Sequence, residues 1–516
     1  MLRSLYHCWR LFAVVRTMSR YRVLQPMLAA GRAPFPLKWA ISSFALFTGK
    51  AKGVDGLANG ERLARALEAL GPAYVKLGQA MATRPDMLGV DMSRGLAQLQ
   101  DKVGAFPTSD AKRIIEEDLG EPVTKLFREF GERAIAAASI AQVHRATTSD
   151  GREVAVKVLR PGIKPRFRRD LSTFRWAAGV IERYFEGARR LRPIAVVDTL
   201  ADSVALELDL RLEAAGASEL SDAMSGDPDY KVPEIDWART SERILTTEWM
   251  DGVPLTDTSG LEAAGIDRKR LAEIAVEIFL KQAMRDGYFH ADMHQGNLIA
   301  LPDGRLGAVD FGIMGRLDRD SRRYLAEILY GFITRDYRKI ADMHFEAGYV
   351  PADRSVDDFA TALRAIGEPI MGRPISQISI GRLLAQLLAT TETFDMRTQP
   401  HLIMLQKTMV MVEGVAFSLD RNANMWEIAA PVLEGWAKDN LSPEVLVADE
   451  IRKRGAQLMA LPDALDRSMA LLGRAERLID QVNGQSNPTS TPGSTAGWVA
   501  GAGLLFLLGL MIGVLA

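Results

Sequence analysis

The stretch Phe289-His-Ala-Asp-Met-His-Gln-Gly-Asn297 decides the fold of this chain. Within it, Asp292 and Asn297 are five residues apart. Enzymes that transfer a phosphoryl group use a carboxylate beside the reacting hydroxyl and a nearby Asn that helps to hold a metal ion. Because Asp292 and Asn297 have the spacing of such a loop, the stretch predicts a phosphoryl-transfer fold.

A second motif, Asp310-Phe-Gly312, follows Asn297 by thirteen residues. Residues 298–309 alternate apolar and polar side chains and predict a hairpin between the two motifs. In protein kinases, the Asp of such a turn binds the metal ions that bridge the phosphates. A three-residue string recurs by chance in a long chain, whereas the two motifs in this order are specific. They predict an α+β, protein-kinase-like, two-lobed fold that binds ATP and Mg2+.

Composition and charge exclude several other classes. The chain has 516 residues, 47% hydrophobic and 25% charged, which suits a globular protein of about three domains. The net charge of -1 argues against a general nucleic-acid-binding protein, because such proteins need surplus Lys and Arg. Cys8 is the single cysteine, so an intramolecular disulfide is excluded.

The first 54 residues contain nine Lys or Arg and no acidic residue before Asp55. These charges are mixed with apolar side chains that include Leu5, Trp9 and Phe12. The pattern suits a helix lying on an anionic membrane surface. A poorly ordered basic tail and a transit-like segment are the alternatives.

Residues 60–99 have a helical pattern that contains Lys76-Leu-Gly-Gln79. Lys76 and Gln79 are three residues apart and therefore project from one helical face. A solvated face explains such a pair equally well.

Residues 135–146 predict a strand, a tight turn and a second strand, and residues 153–158 predict a third strand. In kinases, a glycine-rich loop at this position covers the phosphates, and a strand Lys contacts them. The loop here contains alanines, whose methyl groups restrict close backbone approach. The candidate nucleotide-binding residues of this region are Ala136, Ala137, Ala138, Ser139 and the phosphate lysine Lys157. A solubility charge on an edge strand is the alternative for Lys157.

Helices are expected over residues 168–184 and 196–220. The second contains Glu207, Asp209 and Glu213, of which Asp209 and Glu213 share a predicted helical face. Kinases pair one helical Glu with the strand Lys, and Glu213 is the first choice for this role. Solvated acids on an amphipathic helix are the alternative. Residues 243–252 predict a strand and turn at the position of the kinase hinge that meets the adenine, which makes Glu248 a candidate nucleotide contact.

Residues 313–316 lead almost directly into a predicted helix over residues 318–332, with no A-P-E sequence. The long activation segment on which a peptide substrate lies in ordinary protein kinases is therefore missing. His290 and His294 have the spacing of a metal pair, but a loop with a nearby Gly favours structural hydrogen bonds.

Residues 333–480 are helical in pattern and rich in Leu and Met, including residues 401–419, whose Met side chains predict core packing more than a lipid or cofactor pocket. Residues 483–495 form an uncharged linker. Residues 496–516 carry no charge and are long enough to cross a bilayer, so they predict a C-terminal transmembrane helix. A buried helix of a soluble protein is the alternative.

With these motifs, residues 60–419 resemble the UbiB family of atypical kinases, known in eukaryotes as the ADCK proteins. The resemblance implies a helical N-terminal extension that folds over the nucleotide cleft, with Lys76 and Gln79 in catalytic roles. It also implies that Glu207 and Asp209 help to hold this extension. The expected domains are a basic membrane-proximal segment (1–59), the extension (60–106), a kinase-like ATP-binding core (107–345), a helical region (346–482), the linker (483–495) and the transmembrane helix (496–516).

The leading hypothesis is a membrane-anchored ATPase or atypical kinase that supports ubiquinone biosynthesis. Asp310 and Asn297 would hold Mg2+, Lys157 would neutralise phosphate charge, and Asp292 would orient or deprotonate the nucleophile. Two hypotheses of other kinds are a nucleotide-gated lipid-binding scaffold without phosphoryl transfer and a kinase acting on a small molecule or lipid. The resemblance also brings an older label, 2-polyprenylphenol 6-hydroxylase, but the sequence has neither a GxGxxG fingerprint nor the clustered metal ligands of an oxygenase.

The expected location is the inner (cytoplasmic) membrane, with the kinase-like domain facing the cytoplasm. The expected partners are a polyprenyl-phenol or quinone-like lipid, or a membrane lipid, together with ubiquinone-biosynthesis enzymes and a second copy of the chain as a homodimer. No nucleic acid is expected.

Overall fold

The structure is a computed structural model that describes residues 2–23, 49–82, 90–96, 99, 104–184, 189, 192–371, 393–396 and 400–440. The chain divides into two compact units. The first contains the described residues before Glu213 together with Ile235–Trp249, and the second contains Glu213–Glu234 and the described residues from Met250 onward. The linker and the transmembrane helix expected over residues 483–516 lie outside the described residues.

Several helices of the first unit pack against one another. Val14 packs in one apolar cluster with Leu67 and Tyr74, and Arg10 forms an ion pair with the buried Asp170. The helices of this unit are α1 (Leu2–Arg20), α2 (Asn59–Leu70), α3 (Pro72–Ala82), α4 (Val90–Leu96), α5 (Thr108–Leu119), α6 (Val123–Leu126), α7 (Ile163–Tyr184) and α8 (Pro193–Glu207).

The first unit also contains a five-stranded antiparallel sheet. Its strands are β1 (Phe127–Phe130), β2 (Ala136–Ala137), β3 (Ala141–Thr148), β4 (Glu153–Leu159) and β6 (Ile244–Glu248), paired in the order β1-β3-β4-β6 with β2 also paired to β3. Ile114 and Ile115 of α5 pack on one face against Val156 and Ile244. The strands predicted over residues 135–158 are therefore present, whereas the short strand β1 was not predicted.

Lys157 lies on β4, which is a central strand. It is opposite Val143 of β3 on one side and Leu245 of β6 on the other. Val156 and Val158 on either side of it are buried in the core. The edge-strand explanation for Lys157 is therefore wrong, since β4 is paired along both edges.

Two small sheets and several helices form the second unit. The strands β5 (Tyr230–Lys231), β10 (Leu306–Ala308), β9 (Leu298–Ala300) and β7 (Val253–Pro254) pair in that order, and β8 (Tyr288–His290) pairs with β11 (Met314–Arg316). The helices are α9 (Leu210–Ala223), most of which belongs to this unit, α10 (Thr258–Ala263), α11 (Arg268–Leu280), α12 (Arg319–Thr334), α13 (Tyr337–Glu346), α14 (Val356–Met371), α15 (Pro400–Leu419) and α16 (Met425–Asn440). The antiparallel pairing of β9 and β10 confirms the hairpin predicted between the two motifs.

Two helices predicted as continuous are interrupted. The pattern over residues 60–99 breaks at Gly71, which has a φ of 115°, and Pro72 then begins α3. The ring of a proline clashes with the preceding turn and lacks an N–H, so α2 cannot continue through it. The helix predicted over residues 196–220 breaks between α8 and α9, where Asp209 Oδ1 accepts a hydrogen bond from the Arg211 backbone N–H at 3.2 Å.

The shared helical face predicted for Asp209 and Glu213 is therefore wrong. Asp209 precedes the first residue of α9, and Glu213 lies in the first turn of that helix. Asp side chains bind nearby backbone N–H groups and so favour helix starts over helix interiors.

Within the described part of the chain, α15 contains one segment, His401–Leu419, that is long and apolar enough to cross a membrane. A core helix of a soluble protein meets the same criteria, and Leu405, Met409 and Val412 of this segment are buried. The core packing predicted for Met409 is therefore confirmed.

Candidate active site

Buried hydrogen bonds fix the start of the stretch 289–297. The backbone N–H of His290 donates to Oε1 of the fully buried Gln282 at 3.1 Å. His290 Nδ1 in turn accepts from the backbone N–H of Asp292 at 3.1 Å. Buried polar groups are almost always hydrogen-bonded. Here the two hydrogen bonds fix the position of Asp292 just after the end of β8.

His290 is a neutral structural residue. Its burial lowers its pKa, and the neighbouring carboxylates of Asp310 and Asp292 oppose this shift. Because Nδ1 accepts a hydrogen bond, the proton of the neutral ring is assigned to Nε2. His294 Nδ1 similarly accepts from Gly296 N–H at 3.0 Å. The structural hydrogen bonding predicted for both histidines is confirmed.

The loop folds back so that Asn297 meets Asp292. The Nδ2 amide of Asn297 donates to the Asp292 carbonyl at 3.1 Å and lies 3.4 Å from Asp292 Oδ2. This engagement of the amide nitrogen leaves the amide oxygen as the ligand atom of Asn297. The five-residue spacing therefore produces a closed turn in which both side chains belong to one network.

The hairpin brings Asp310 next to this turn. Ala308 is opposite Leu298 in the β9 and β10 pairing, and Val309 N–H donates to the Asn297 carbonyl at 3.0 Å. Asp310 is the next residue, and its Oδ1 accepts from Gly312 N–H at 3.0 Å. Residues thirteen apart in the chain thus become neighbours.

The residues present fit a magnesium ion. Asp310 offers a carboxylate and Asn297 an amide oxygen, and Mg2+ is commonly held by one or two such oxygen ligands together with substrate phosphates. Asp310 and Asn297 would hold the ion, which would neutralise phosphate charge.

The two carboxylate oxygens of Asp292 face different partners. His294 Nε2 lies 3.5 Å from Oδ2, the oxygen that is also close to Asn297. Oδ1 instead lies 3.6 Å from Nζ of Lys407, a residue of α15. Sequence reasoning missed Lys407, because no local pattern connects it to a loop more than a hundred residues away.

The residue next to Lys407 binds the same loop. Thr408 Oγ1 donates toward the Ala291 carbonyl at 3.1 Å and also lies 2.9 Å from the Met404 carbonyl, and its side chain is fully buried. One hydroxyl hydrogen is therefore shared between the carbonyl oxygens of the loop and of α15. The helix supports the residue immediately before Asp292.

The alanine loop of the first unit is a tight turn. Ala136 pairs with Val143, and Ala138 N–H donates to the Ala141 carbonyl at 2.8 Å. Ser139 is fully buried, and its hydroxyl has no hydrogen-bond partner among the residues that the structure describes.

Arg160 is a second residue that the sequence reasoning missed. Its guanidinium donates to the Ala138 carbonyl at 2.9 Å and to the Gly104 carbonyl at 2.7 Å, and it lies over the Phe106 ring at 5.5 Å from the ring centre. It follows β4 directly, and a surface arginine after a strand is too common to be a signal. Arg160 connects the alanine loop to the segment that precedes α5.

The extension is held within the first unit by an ion pair. Lys76 Nζ of α3 lies 2.7 Å from Glu207 Oε2 at the end of α8. Asp209, in contrast, makes its hydrogen bonds to the Arg211 side chain and backbone. Gln79 lies in α3 with Lys76, one turn further along.

The remaining predicted site residues, Glu213 and Glu248, lie in α9 and at the end of β6. Glu213 is buried in the first turn of α9. Glu248 ends β6 opposite Val154. The backbone N–H of the next residue, Trp249, donates to the Glu153 carbonyl at 3.0 Å. Lys157 and Glu248 belong to the first unit, whereas Glu213, Asp292, Asn297 and Asp310 belong to the second.

Comparison with known proteins identifies the family. Residues 98–344 match the ABC1 atypical kinase-like domain, and residues 363–424 match the UbiB helical domain. A protein of Marinobacter nauticus named probable protein kinase UbiB is 42% identical over 444 residues, which cover 85% of this chain and 80% of that protein. The chain belongs to the UbiB family. A second UbiB relative, from Aeromonas salmonicida, is 39% identical over 482 residues, covering 92% of this chain and 87% of the relative.

A solved structure shares the UbiB fold. A complex of Rv3197 with erythromycin from Mycobacterium tuberculosis matches 70% of this chain and 92% of its own, with a TM-score of 0.50 and 27% identity. The fold is therefore kinase-like, with mixed helices and sheets. The UbiB helical domain includes α15, so Lys407 and Thr408 lie outside the part of the chain that matches the kinase-like domain.

Proposed function

We propose that the protein is an atypical kinase or ATPase of the UbiB type that supports ubiquinone biosynthesis at a membrane by binding and hydrolysing Mg-ATP. The observation that carries this proposal is that Asn297 is hydrogen-bonded to Asp292 and that the hairpin returns the chain to Asn297 one residue before Asp310. Two carboxylates and an amide oxygen at these spacings are what phosphoryl transfer needs. The resemblance to the UbiB family adds the link to ubiquinone.

In the second unit, Asp310 and Asn297 hold Mg2+. Asp292 orients the nucleophile and accepts its proton, which is the role of a general base within hydrogen-bond reach of a hydroxyl or water.

In the first unit, Lys157 neutralises phosphate charge, and Glu248 lies at the hinge that meets the adenine. The loop Ala136–Ala137, continued by Ala138 and Ser139, covers the phosphates. A buried hydroxyl without a partner costs about 1–3 kcal/mol, and a phosphate oxygen reached through a small loop movement would provide a partner for Ser139.

Water or a small molecule is favoured over a protein as acceptor. Only six residues separate Gly312 from Arg319, the first residue of α12, so the chain has no long segment here to bind a peptide. The pair of Lys76 and Glu207 holds the extension within the first unit, and the catalytic role proposed for Lys76 and Gln79 rests on the family resemblance alone.

The test is hydrolysis of [γ-32P]ATP by the purified protein with and without Mg2+, polyprenyl-phenol-like lipids and liposomes. We expect phosphate release that requires Mg2+ and is abolished in Asp310→Asn. Labelled lipid would instead favour a lipid kinase, and nucleotide binding without turnover would favour a scaffold. Equal turnover in wild type and Asp310→Asn would reject the assignment.

We propose that α1 contacts the membrane through its outward face. Leu5, Trp9 and Phe12 are 60%, 70% and 55% exposed, and the exposed Arg16 and Arg20 continue the same face at helical spacing. The opposite face is buried within the first unit, where Leu11, Val14 and Val15 pack. An apolar stripe flanked by cations matches the acyl boundary and headgroups of an anionic bilayer.

Cys8, the single cysteine, gives a direct test because it lies on α1. A polarity-sensitive fluorophore attached there should shift to the blue on phosphatidylglycerol vesicles and much less on phosphatidylcholine vesicles. The variant Leu5→Ser/Trp9→Ser should lose the shift, whereas Trp237→Ser, which alters another exposed tryptophan of the first unit, should keep it. No shift on anionic vesicles would contradict membrane contact through α1.

We further propose a location and partners for the protein. The protein lies at the inner membrane with its kinase-like domain facing the cytoplasm, anchored by the apolar segment 496–516. It acts with ubiquinone-biosynthesis enzymes and a polyprenyl-phenol or quinone-like lipid, and it forms a homodimer. Copurification of a second, differently tagged copy and of these enzymes from detergent-solubilised membranes checks this assembly.

A further inference from the structure

The loop that carries Asp292 has no lysine or arginine of its own. In Phe289-His-Ala-Asp-Met-His-Gln-Gly-Asn297 the only basic side chains are histidines, and His290 is neutral and fully buried. During phosphoryl transfer, negative charge is spread over the oxygens of the γ-phosphoryl group, next to the carboxylate that takes the proton. A fixed cation at this point would oppose the repulsion between the two groups.

Helix α15 places one there. Lys407 Nζ is 3.6 Å from Asp292 Oδ1, and its side chain is 48% exposed. The distance is too long for a hydrogen bond but short enough for a solvent-screened charge interaction. Lys407 therefore faces the one carboxylate oxygen that is not next to Asn297 and His294, while its ammonium remains accessible to a ligand.

The neighbouring contact fixes the position of this lysine. Thr408 is buried and bonded to the Ala291 carbonyl, so the backbone of α15 is held against the loop one residue before Asp292. Leu405 and Met409 are buried on the same helix. The lysine stem thus starts from a rigid element, and only its end is free to move between carboxylate and phosphate.

We infer that Lys407 is a cation of the phosphoryl-transfer site, supplied by the UbiB helical domain. It positions the Asp292 carboxylate and contacts the γ-phosphoryl group. In the reaction, the nucleophile oxygen bonds to the γ-phosphorus and its proton passes to Asp292. The bond from that phosphorus to the bridging oxygen breaks, and its electron pair leaves on ADP. Lys407 stabilises the charge on the phosphoryl oxygens throughout.

This inference rests on the proposed function, and it assigns a role to the helical domain. A kinase-like domain that ends at residue 344 lacks this lysine. Truncation before α15 would therefore remove a group of the site as well as a packing partner of α11.

The test compares Lys407→Met, Lys407→Arg and the control Lys438→Met, which removes an exposed lysine of α16 in the same unit. The measurements are turnover at saturating Mg-ATP, the separate affinities for Mg-ATP and Mg-ADP by calorimetry, and the melting temperature. ADP lacks the γ-phosphoryl group and therefore reports binding without the contact proposed for Lys407.

We expect Lys407→Met to lower turnover by about 30-fold and the ratio of ATP to ADP affinity by about tenfold, with Mg-ADP affinity and melting temperature unchanged. Lys407→Arg should retain turnover within about fivefold, because it keeps the charge. Lys438→Met should match wild type. A purely structural role would lower the melting temperature and weaken both nucleotides together.

Turnover and an affinity ratio within about twofold of wild type in Lys407→Met would overturn the inference. If the wild type binds Mg-ATP but releases no phosphate, the proposed hydrolysis fails, and the affinity ratio still decides whether Lys407 contacts the γ-phosphoryl group. A wild type that binds neither nucleotide would overturn both.

Discussion

Two lysines from helices each reach a carboxylate that is distant in the chain, but the two contacts differ in closeness and exposure. Lys76 Nζ is 2.7 Å from Glu207 Oε2, and the two side chains are 15% and 19% exposed. Lys407 Nζ is 3.6 Å from Asp292 Oδ1, with exposures of 48% and 25%. Breaking a largely buried pair leaves a desolvated charge, whereas an exposed pair contributes little to stability. The pair of Lys76 and Glu207 therefore suits a structural role. The pair of Lys407 and Asp292 keeps charges that a ligand can reach.

The largest effect on stability is expected for Lys76→Met, which leaves Glu207 without its partner. Discounted for partial exposure, the cost should be about 2 kcal/mol of local opening free energy, or about 30-fold faster hydrogen exchange at the α3 amides. The double variant Lys76→Met/Glu207→Gln should recover part of this loss, since no unpaired carboxylate remains. If hydrogen exchange at the α3 amides is as slow in Lys76→Met as in wild type, the pair of Lys76 and Glu207 does not have the structural role that distinguishes it from the pair of Lys407 and Asp292.

The buried His344 makes the stability of the protein depend on pH. Burial lowers the pKa of His344 to about 4 from its ordinary 6.5, and its Nδ1 lies 2.8 Å from the Ile340 carbonyl. Between these values the unfolded chain binds a proton that the folded chain does not. The contribution of His344 to the free energy of unfolding is therefore fully present above pH 6.5 and is lost as the pH falls toward 4.

We expect His344→Gln to reduce the slope of unfolding free energy against pH in this window by up to about 1.4 kcal/mol per pH unit. Urea unfolding at a series of pH values measures the slope. The glutamine amide can still donate to the Ile340 carbonyl, so stability at pH 7.5 provides the control. Identical slopes in wild type and variant would show that His344 is not buried in its neutral form.

A smaller effect is expected for Thr408→Val, which keeps the shape of the side chain but removes the hydrogen bond to the Ala291 carbonyl. The loss should be about 1 kcal/mol of unfolding free energy. Turnover should fall as well, because the support behind Asp292 is loosened. The control Thr408→Ser keeps the hydroxyl and should preserve turnover. A loss of turnover in Thr408→Ser as large as that in Thr408→Val would contradict a role for the hydrogen bond.

Parts of the fold could be predicted from local sequence patterns alone. The hairpin between Asn297 and Asp310 follows from local alternation, and Lys157 follows from a strand with alternating valines. The break at Asp209 was missed, because the apolar periodicity continues across it, and the hydrogen bond from the Arg211 backbone to the Asp209 side chain becomes apparent only in three dimensions.

The partners of the site could not be predicted for a related reason. Thr408 and Ala291 are 117 residues apart, and no short pattern reports a contact formed by packing of α15 on α11. Arg160 was missed although it follows a predicted strand, since its carbonyl partners become apparent only in three dimensions. The motifs indicate the residues for which a chemical role is proposed, and the packing determines which residues support them.

The most direct test of the central claim is calorimetric binding of an ATP analogue to the wild type and to Asp310→Asn, each with and without Mg2+. Mg2+ should strengthen binding to the wild type by at least about tenfold and have little effect on the variant, because Asp310 is proposed to hold the ion. Wild-type affinity that is the same with and without Mg2+, or an equal gain in Asp310→Asn, would contradict the proposal that Asp310 holds a magnesium-nucleotide complex.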